Sequence, residues 1–223
     1  NTPYFDKVLQ PLLQKAIVEM FWRLIWFGDK TAKNVTSSGV DGVGGGVVTD
    51  TINPNLLTAC DGFWKRLLAI IAANPNQKTP IAANSSSTKA LQKTDLRASG
   101  VAIKIVDDLL SDADSRIFDY SDHAIMMTNS LFKALRNDVV DKYGKTTMPF
   151  EQVSAGFGLS KYDGHDIIVL DVWDRLIRKY SDNGTTIDCP HRAVLASASN
   201  LFCGTSDSQR LASLTVKFDD RKR

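Results

Sequence analysis

The longest single-period stretch of the chain runs from Pro3 to Phe27, and it restricts the fold more than any other feature. Apolar residues fall in pairs four apart: Val8 and Leu9, Leu12 and Leu13, Ala16 and Ile17, Met20 and Phe21, Leu24 and Ile25. That spacing predicts one face of an α-helix, long enough to act as a beam across a domain. Thr2 is a fitting N-cap, Pro3 suits the first turn, and Glu19 and Arg23 stand four apart in the favourable order. Gly28 and Asp29 end the segment. Pro11 interrupts the pattern, so the helix is expected to kink there or to begin near it. The aromatic residues Phe21, Trp22, Trp26 and Phe27 spread around the helix end instead of following the stripe. Trp22 and Trp26 therefore need a second buried face, supplied by packing on two sides or by a neighbouring molecule.

This helix is not expected to span a membrane, because Glu19 and Arg23 interrupt Ile17–Phe27, which falls short of the roughly 20 apolar residues a bilayer needs. The first residues carry neither a basic region nor a small-residue cleavage site, so no secretory signal is expected. Cys60, Cys189 and Cys203 are odd in number and widely spaced, which fits thiols in a reducing compartment better than a disulfide framework. The sequons at Asn34, Asn84 and Asn183 then read as chance matches. A net charge of +2 is too balanced to imply nucleic-acid binding from charge alone. The basic Arg221-Lys222-Arg223 is offset by Asp219 and Asp220 and reads as a solvated tail. A start at Asn1 suggests a processed protein or a fragment.

Beyond the first helix, the glycines from Gly39 to Gly46 mark Lys30–Asp50 as a loop or boundary. Cys60–Ala73 predicts a second helix with Phe63, Leu67, Ile70 and Ile71 on one side, stopped by Asn74-Pro75. Gln77–Lys93 is polar and Ser-rich and reads as a surface connection. Leu96–Leu110 predicts a third helix burying Ala102, Ile105, Val106, Leu109 and Leu110. Ala124–Thr128 reads as a buried strand, Ser130 as the cap of a helix ending at Gly144, and Phe150–Ala155 as a strand. Asp163-Gly164 marks a hairpin turn. Ile167–Leu170 is a buried strand, and Asp171 caps a helix through Tyr180 that turns Trp173, Leu176 and Ile177 inward. Ser181–Gly184 is a turn, Ala193–Ala196 a strand, Asn200–Cys203 a second strand, and Leu214–Phe218 a half-buried one. The class is α+β.

Motifs for chemistry are weak throughout. Gly42–Gly46 lacks the third glycine of a dinucleotide loop, where Val47 stands, and Gly144-Lys145-Thr146 lacks the first glycine of a P-loop, where Val139 stands. Asp112 and Asp114 fail as a calcium loop because Arg116 and Ile117 occupy ligand and glycine places. Asp107, Asp108, Asp112 and Asp114 read instead as the solvated side and end of a helix. Cys189, His191 and Cys203 lack the second ligand pair of a zinc site. Asp122-His123 and His165-Asp166 are neighbours in sequence, which does not make a hydrogen-bonded dyad. No catalytic, cofactor-binding or metal-binding residue is therefore assigned.

The order of elements resembles the tailed-phage major capsid proteins, which share the Hong Kong phage capsid fold. Leu24-Ile25-Trp26-Phe27-Gly28-Asp29-Lys30-Thr31 is similar to the family's junction after its spine helix. The run from Ile105 through Ala124-Ile125-Met126-Met127-Thr128-Asn129-Ser130 to Leu135 resembles its helix, short strand and following helix. Gly164-His165-Asp166-Ile167-Ile168-Val169 and Ala193-Val194-Leu195-Ala196, leading to Asn200-Leu201-Phe202-Cys203-Gly204-Thr205, are similar to later strands of its axial domain. The family's amino-terminal arm and extended loop have no counterpart before the helix.

The resemblance implies a spine helix and part of a peripheral domain over 1–95, a mixed-sheet axial-like domain over 96–205, and a strand returning to the peripheral domain over 206–223. It implies a structural, non-enzymatic head subunit of a phage or prophage that self-assembles into an icosahedral shell. Its partners would be copies of itself in capsomers, other head proteins, and packaged DNA through non-specific contact, with no membrane. Its place would be the virion, after assembly in the bacterial cytoplasm. Phe21, Trp22, Trp26 and Phe27 are the candidates for a subunit interface. Two other readings stay open: an intracellular enzyme assembled from His123, Asp163 and His165, and a partner-binding module using the aromatic helix.

Overall fold

A computed structural model describes residues 5–30, 60–144, 148–154 and 157–202. The opening helix follows the sequence closely. Phe5–Leu9 makes one wide π turn, and α1 (Gln10–Phe27) follows with Pro11 in its first turn. Pro11 has no N–H and its ring excludes the carbonyl four residues back, so the α-helix starts at it, as expected. The proposed cap at Thr2 and Pro3 lies outside the described residues. Glu19 does not pair along the helix with Arg23; it reaches Arg175 of a later helix at 3.4 Å.

Two glycines join α1 to α2 (Phe63–Ala73). The Gly62 amide donates to the Gly28 carbonyl at 2.7 Å. A Cβ on Gly62 would lie 2.7–2.8 Å from backbone atoms of Gly28 and Trp26, and one on Gly28 would lie 2.5 Å from the carbonyl oxygens of Cys60 and Leu24. No side chain fits between the two segments. Beside them Asp29 is fully buried and holds the Lys65 ammonium, which Asp61 also accepts from at 3.0 Å. Asn74 ahead of Pro75 ends α2, as the sequence indicates.

The polar stretch Gln77–Lys93 is more than a surface connection. It follows a 3₁₀ turn (Pro75–Gln77) and contains another (Ala82–Ser85) and the start of α3 (Lys89–Leu96), whose N-cap Thr88 accepts from the Leu91 amide at 3.2 Å. The helix expected over Leu96–Leu110 begins later, at Val101, because Leu96 closes α3 and residues 97–100 turn. Gly100, at φ 76°, breaks the chain direction between α3 and α4 (Val101–Ser111). The drawn boundary between residues 95 and 96 falls inside α3, whose Leu96 packs in the same core as α4.

The sheet follows: β1 (His123–Met127), α5 (Asn129–Tyr143), β2 (Phe150–Ser154), β3 (Phe157–Tyr162), β4 (His165–Leu170), α6 (Asp171–Tyr180) and β5 (Ala193–Ser197). Its order is β2-β3-β4-β1-β5; β1 and β4 are parallel and the other pairs antiparallel. Asp163 and Gly164, at φ 47° and 81°, form the β3–β4 turn that the sequence predicts, because both positions need positive φ. The N-cap of α5 is Thr128, not Ser130, and Leu170 precedes α6 with Asp171 already in its first turn. Over the described part of the strand expected at Asn200–Cys203, Asn200 ends a 3₁₀ turn (Ala198–Asn200) and Leu201 and Phe202 join no strand; residues 203–223, including Leu214–Phe218, lie outside the described residues.

Alternate residues of the central strands feed two cores. Ile125, Met127, Ile167 and Val169 pack with α3, α4 and α5 on one face. Met126, Ile168 and Leu170 pack on the other against α2, α6 and the end of α1. The fold is α+β, a mixed five-stranded sheet with six α-helices among the described residues.

Candidate functional site

The end of α1 is where the sequence pointed first. Trp26 and Phe27 are 2% and 0% exposed, so neither is a surface group; Phe21 and Trp22 are half-buried. Trp26 lies 4.5 Å from Trp173 of α6 between ring centroids, 5.1 Å from Phe63 and 5.6 Å from Trp64 of α2. Trp22 stacks on Phe157 at 6.3 Å. The second apolar face of the helix is therefore met within the chain, Trp26 by α2 and α6 and Trp22 by β3. Trp26 and Phe27 cannot serve an interface without unfolding this cluster. What remains open on α1 is the earlier part of its stripe: Leu12, Leu13 and Met20 are 36–58% exposed.

At the carboxyl ends of β1 and β4 the chain enters α5 and α6, which lie on opposite faces of the sheet. A crevice opens at such a point in a sheet with parallel central strands. Here it is a cleft of about 490 Å³ lined by Lys89, Lys93, Arg97, Lys133 and Arg178, with Asn129, Ser130, Asp171, Asp174 and His191 at its base. Asp174 accepts from the Asn129 and Ser130 amides at 2.6 and 3.1 Å, so a carboxylate of α6 caps α5. Burial nevertheless pushes its pKa up, against the pull of those hydrogen bonds. Asp171 accepts from the Asn129 side chain.

His191, 6% exposed, closes the back of the cleft. Its Nε2 faces the Gln92 carbonyl at 3.3 Å, which assigns the hydrogen to Nε2 and leaves Nδ1 to accept from the Ser130 hydroxyl at 2.9 Å. Burial pushes this imidazole down to about 4. Gln92 on α3, 2% exposed, uses its whole amide: Nε2 donates to the carbonyls of Asn84 and Ile187, and Oε1 accepts from the Ile187 amide. Asn84 in turn holds both the amide and the carbonyl of His191. Of the residues considered as metal ligands, His191 is thus bound to protein groups, and Cys203 lies outside the described residues. Among the described residues no group of His, Cys, Asp and Glu side chains is arranged to hold a metal ion.

The amino ends of the same two strands bring together a pair that sequence spacing did not reveal. His123 and His165 become neighbours through the parallel register Ala124–Asp166, and His123 Nε2 lies 3.0 Å from His165 Nδ1. His123 Nδ1 meets the Tyr120 carbonyl at 2.6 Å, and Phe118 packs on both rings at 5.3–5.5 Å. Neither imidazole forms a dyad with its sequence neighbour. Asp122 accepts instead from Ser197 Oγ at 2.7 Å, and from the Ser199 amide and hydroxyl at 2.8 and 2.6 Å; these hydrogen bonds pull its carboxyl down to about 2. Asp166 pairs with Lys161 at 2.9 Å. Asp163 stays exposed in its turn and does not join the histidines.

Comparison of the chain with protein families, with curated proteins and with solved structures yields no match. Function therefore rests on the geometry. Among the described residues no helix is long and apolar enough to cross a membrane.

Proposed function

We propose that the chain is the major head subunit of a tailed phage or prophage, with the Hong Kong phage capsid fold, and that its copies assemble into an icosahedral virion shell. The observation that carries this reading is the form of α1. The helix is rooted at one end in a sheet-containing lobe, while Leu12, Leu13 and Met20 of its apolar stripe stay 36–58% exposed. A row of apolar side chains gains nothing from contact with water, and burying it between copies adds apolar area to each of many repeated contacts. Closed shells arise from such repeated, symmetry-related contacts. The element order supports the same reading: a long helix, then helix, strand and helix, then a hairpin and a mixed sheet. Electron microscopy of the full chain under assembly conditions tests it. Shells, rings or sheets are expected; persistent monomers count against it.

One observation favours a second reading, an enzyme using the imidazole pair at 3.0 Å. It requires turnover of a substrate that disappears in both His123→Ala and His165→Ala. Normal turnover in either variant sinks it.

A further inference from the structure

Charged side chains without ion-pair partners divide between the two ends of the sheet. At the carboxyl ends of β1 and β4, Lys93, Arg97, Lys133 and Arg178 line the cleft, and none makes an ion pair among the described residues. The carboxylates there are already committed to α5, Asp174 to two amides and Asp171 to Asn129. The cleft is left with an excess of positive charge.

The amino ends carry the opposite excess. Asp107 accepts from the Tyr162 hydroxyl at 3.0 Å beside the hairpin turn that holds Asp163. Asp119 ends the 3₁₀ turn that feeds β1, and Asp112 follows α4 into that turn. Among the described residues none of these carboxylates makes an ion pair: Lys104, Arg116 and Lys161 nearby are taken by Asp108, Asp114 and Asp166, and the carboxylates outnumber Lys142, which lies beside Asp107. A five-residue strand separates the ends by about 16 Å, too far for them to neutralise each other within one copy.

We propose that the acidic end of one copy docks in the basic cleft of the next, a head-to-tail contact between copies of this chain. The proposal rests on the self-assembly reading and names the surfaces it uses. Such a contact is heterologous and closes into a ring when the rotation per copy allows. A second copy fits better than a nucleic acid. The cations surround a concave cleft floored by Leu96, Ile177 and two carboxylates, rather than forming an open stripe that tracks a phosphate backbone. The molecule itself presents the complementary end.

Sedimentation velocity of the full chain, with microscopy in parallel, tests the contact using two exposed pairs of charge reversals, Lys93→Glu with Arg97→Glu and Asp112→Lys with Asp119→Lys. Circular dichroism confirms that each variant is folded. Association of the unmodified chain is expected to weaken roughly tenfold between about 50 and about 500 mM salt. Each reversed variant alone is expected to lose association. An equimolar mixture of the two is expected to regain it, since the reversed ends again complement each other. Unmodified chain that stays monomeric at low salt overturns the proposal, as do folded variants that associate normally or a mixture that stays apart. Salt-sensitive association that never yields shells, rings or sheets upholds the contact and removes the shell reading. Normal shells from both variants do the reverse. If the Lys93→Glu and Arg97→Glu variant associates normally but loses binding to a random-sequence DNA duplex, the cleft is a nucleic-acid site and the proposal fails.

Discussion

Gly62→Ala is expected to be among the most damaging one-carbon additions in the described structure. The new methyl would lie 2.7 Å from the Gly28 nitrogen and 2.8 Å from the Trp26 carbonyl carbon and oxygen, all backbone atoms that no rotamer change can move aside. Restoring ordinary contact forces α1 and α2 apart by several tenths of an ångström, an overpacking strain of about 1–3 kcal/mol. The 2.7 Å hydrogen bond from Gly62 to Gly28 lengthens or breaks, adding about 0.5–1.5 kcal/mol. The sum, roughly 2–4 kcal/mol, lowers the melting midpoint by roughly 5–12 °C in a chain of this size. The readout is unusually direct because Trp22, Trp26, Trp64 and Trp173, the chain's 4 tryptophans, all belong to the core on that face. Indole emission should shift to the red before far-ultraviolet circular dichroism changes. An unchanged midpoint with unchanged emission would refute the claim that this close approach holds α1 to the lobe.

Three further perturbations test separate parts of the fold. His191 titrates at about 4 when folded and near 6.5 when unfolded, so the unfolded chain takes up more protons between those values and stability falls as pH drops through that window. The loss is about 3 kcal/mol, measurable as a falling urea midpoint, and His191→Gln should remove that slope. Asp122, held near 2 by Ser197 and Ser199, contributes stability above its unfolded value of 3.8 that disappears as pH falls towards 2; Asp122→Asn should flatten acid unfolding in that lower window and leave the upper one intact. Asp138 is buried and accepts from the amides of Ala102 and Ile103 at 2.8 and 3.3 Å, so Asp138→Ala leaves the first turn of α4 unsatisfied. A loss of about 2–3 kcal/mol and faster amide exchange at Ala102 and Ile103 are expected; protection equal to the parent would contradict the capping role.

What the sequence revealed tracks how local each signal is. The Asp163-Gly164 turn, the start of α1 at Pro11 and the inward face of α6 depend on neighbouring residues, and each reads correctly. The α3 helix escaped because the residue it buries most fully alongside Leu96 is Gln92, whose partners lie 8 to 95 positions away. Caps supplied in trans by Asp138 and Asp174 are silent for the same reason, since each carboxylate reaches amides 35 to 45 positions distant. The His123–His165 pair and the basic cleft exist only once β1 and β4 lie parallel. Trp22 and Trp26 gave a mixed lesson. Their spread correctly demanded two packing partners, but periodicity could not distinguish α2, α6 and β3 from a neighbouring copy.

Because α1 is rooted through its last turns, angle at the root becomes distance at the far end. Trp26 and Pro11 stand about 22 Å apart along it, so a tilt of about 10° about Trp26 moves the region near Pro11 by roughly 4 Å. Such a tilt shifts the contacts of Trp22 with Phe157 and Glu19 with Arg175 and leaves the Trp26 cluster at the pivot in place. A tile built on such a lever can meet neighbours at different inclinations while keeping one folded core, the property a curved surface demands of chemically identical pieces.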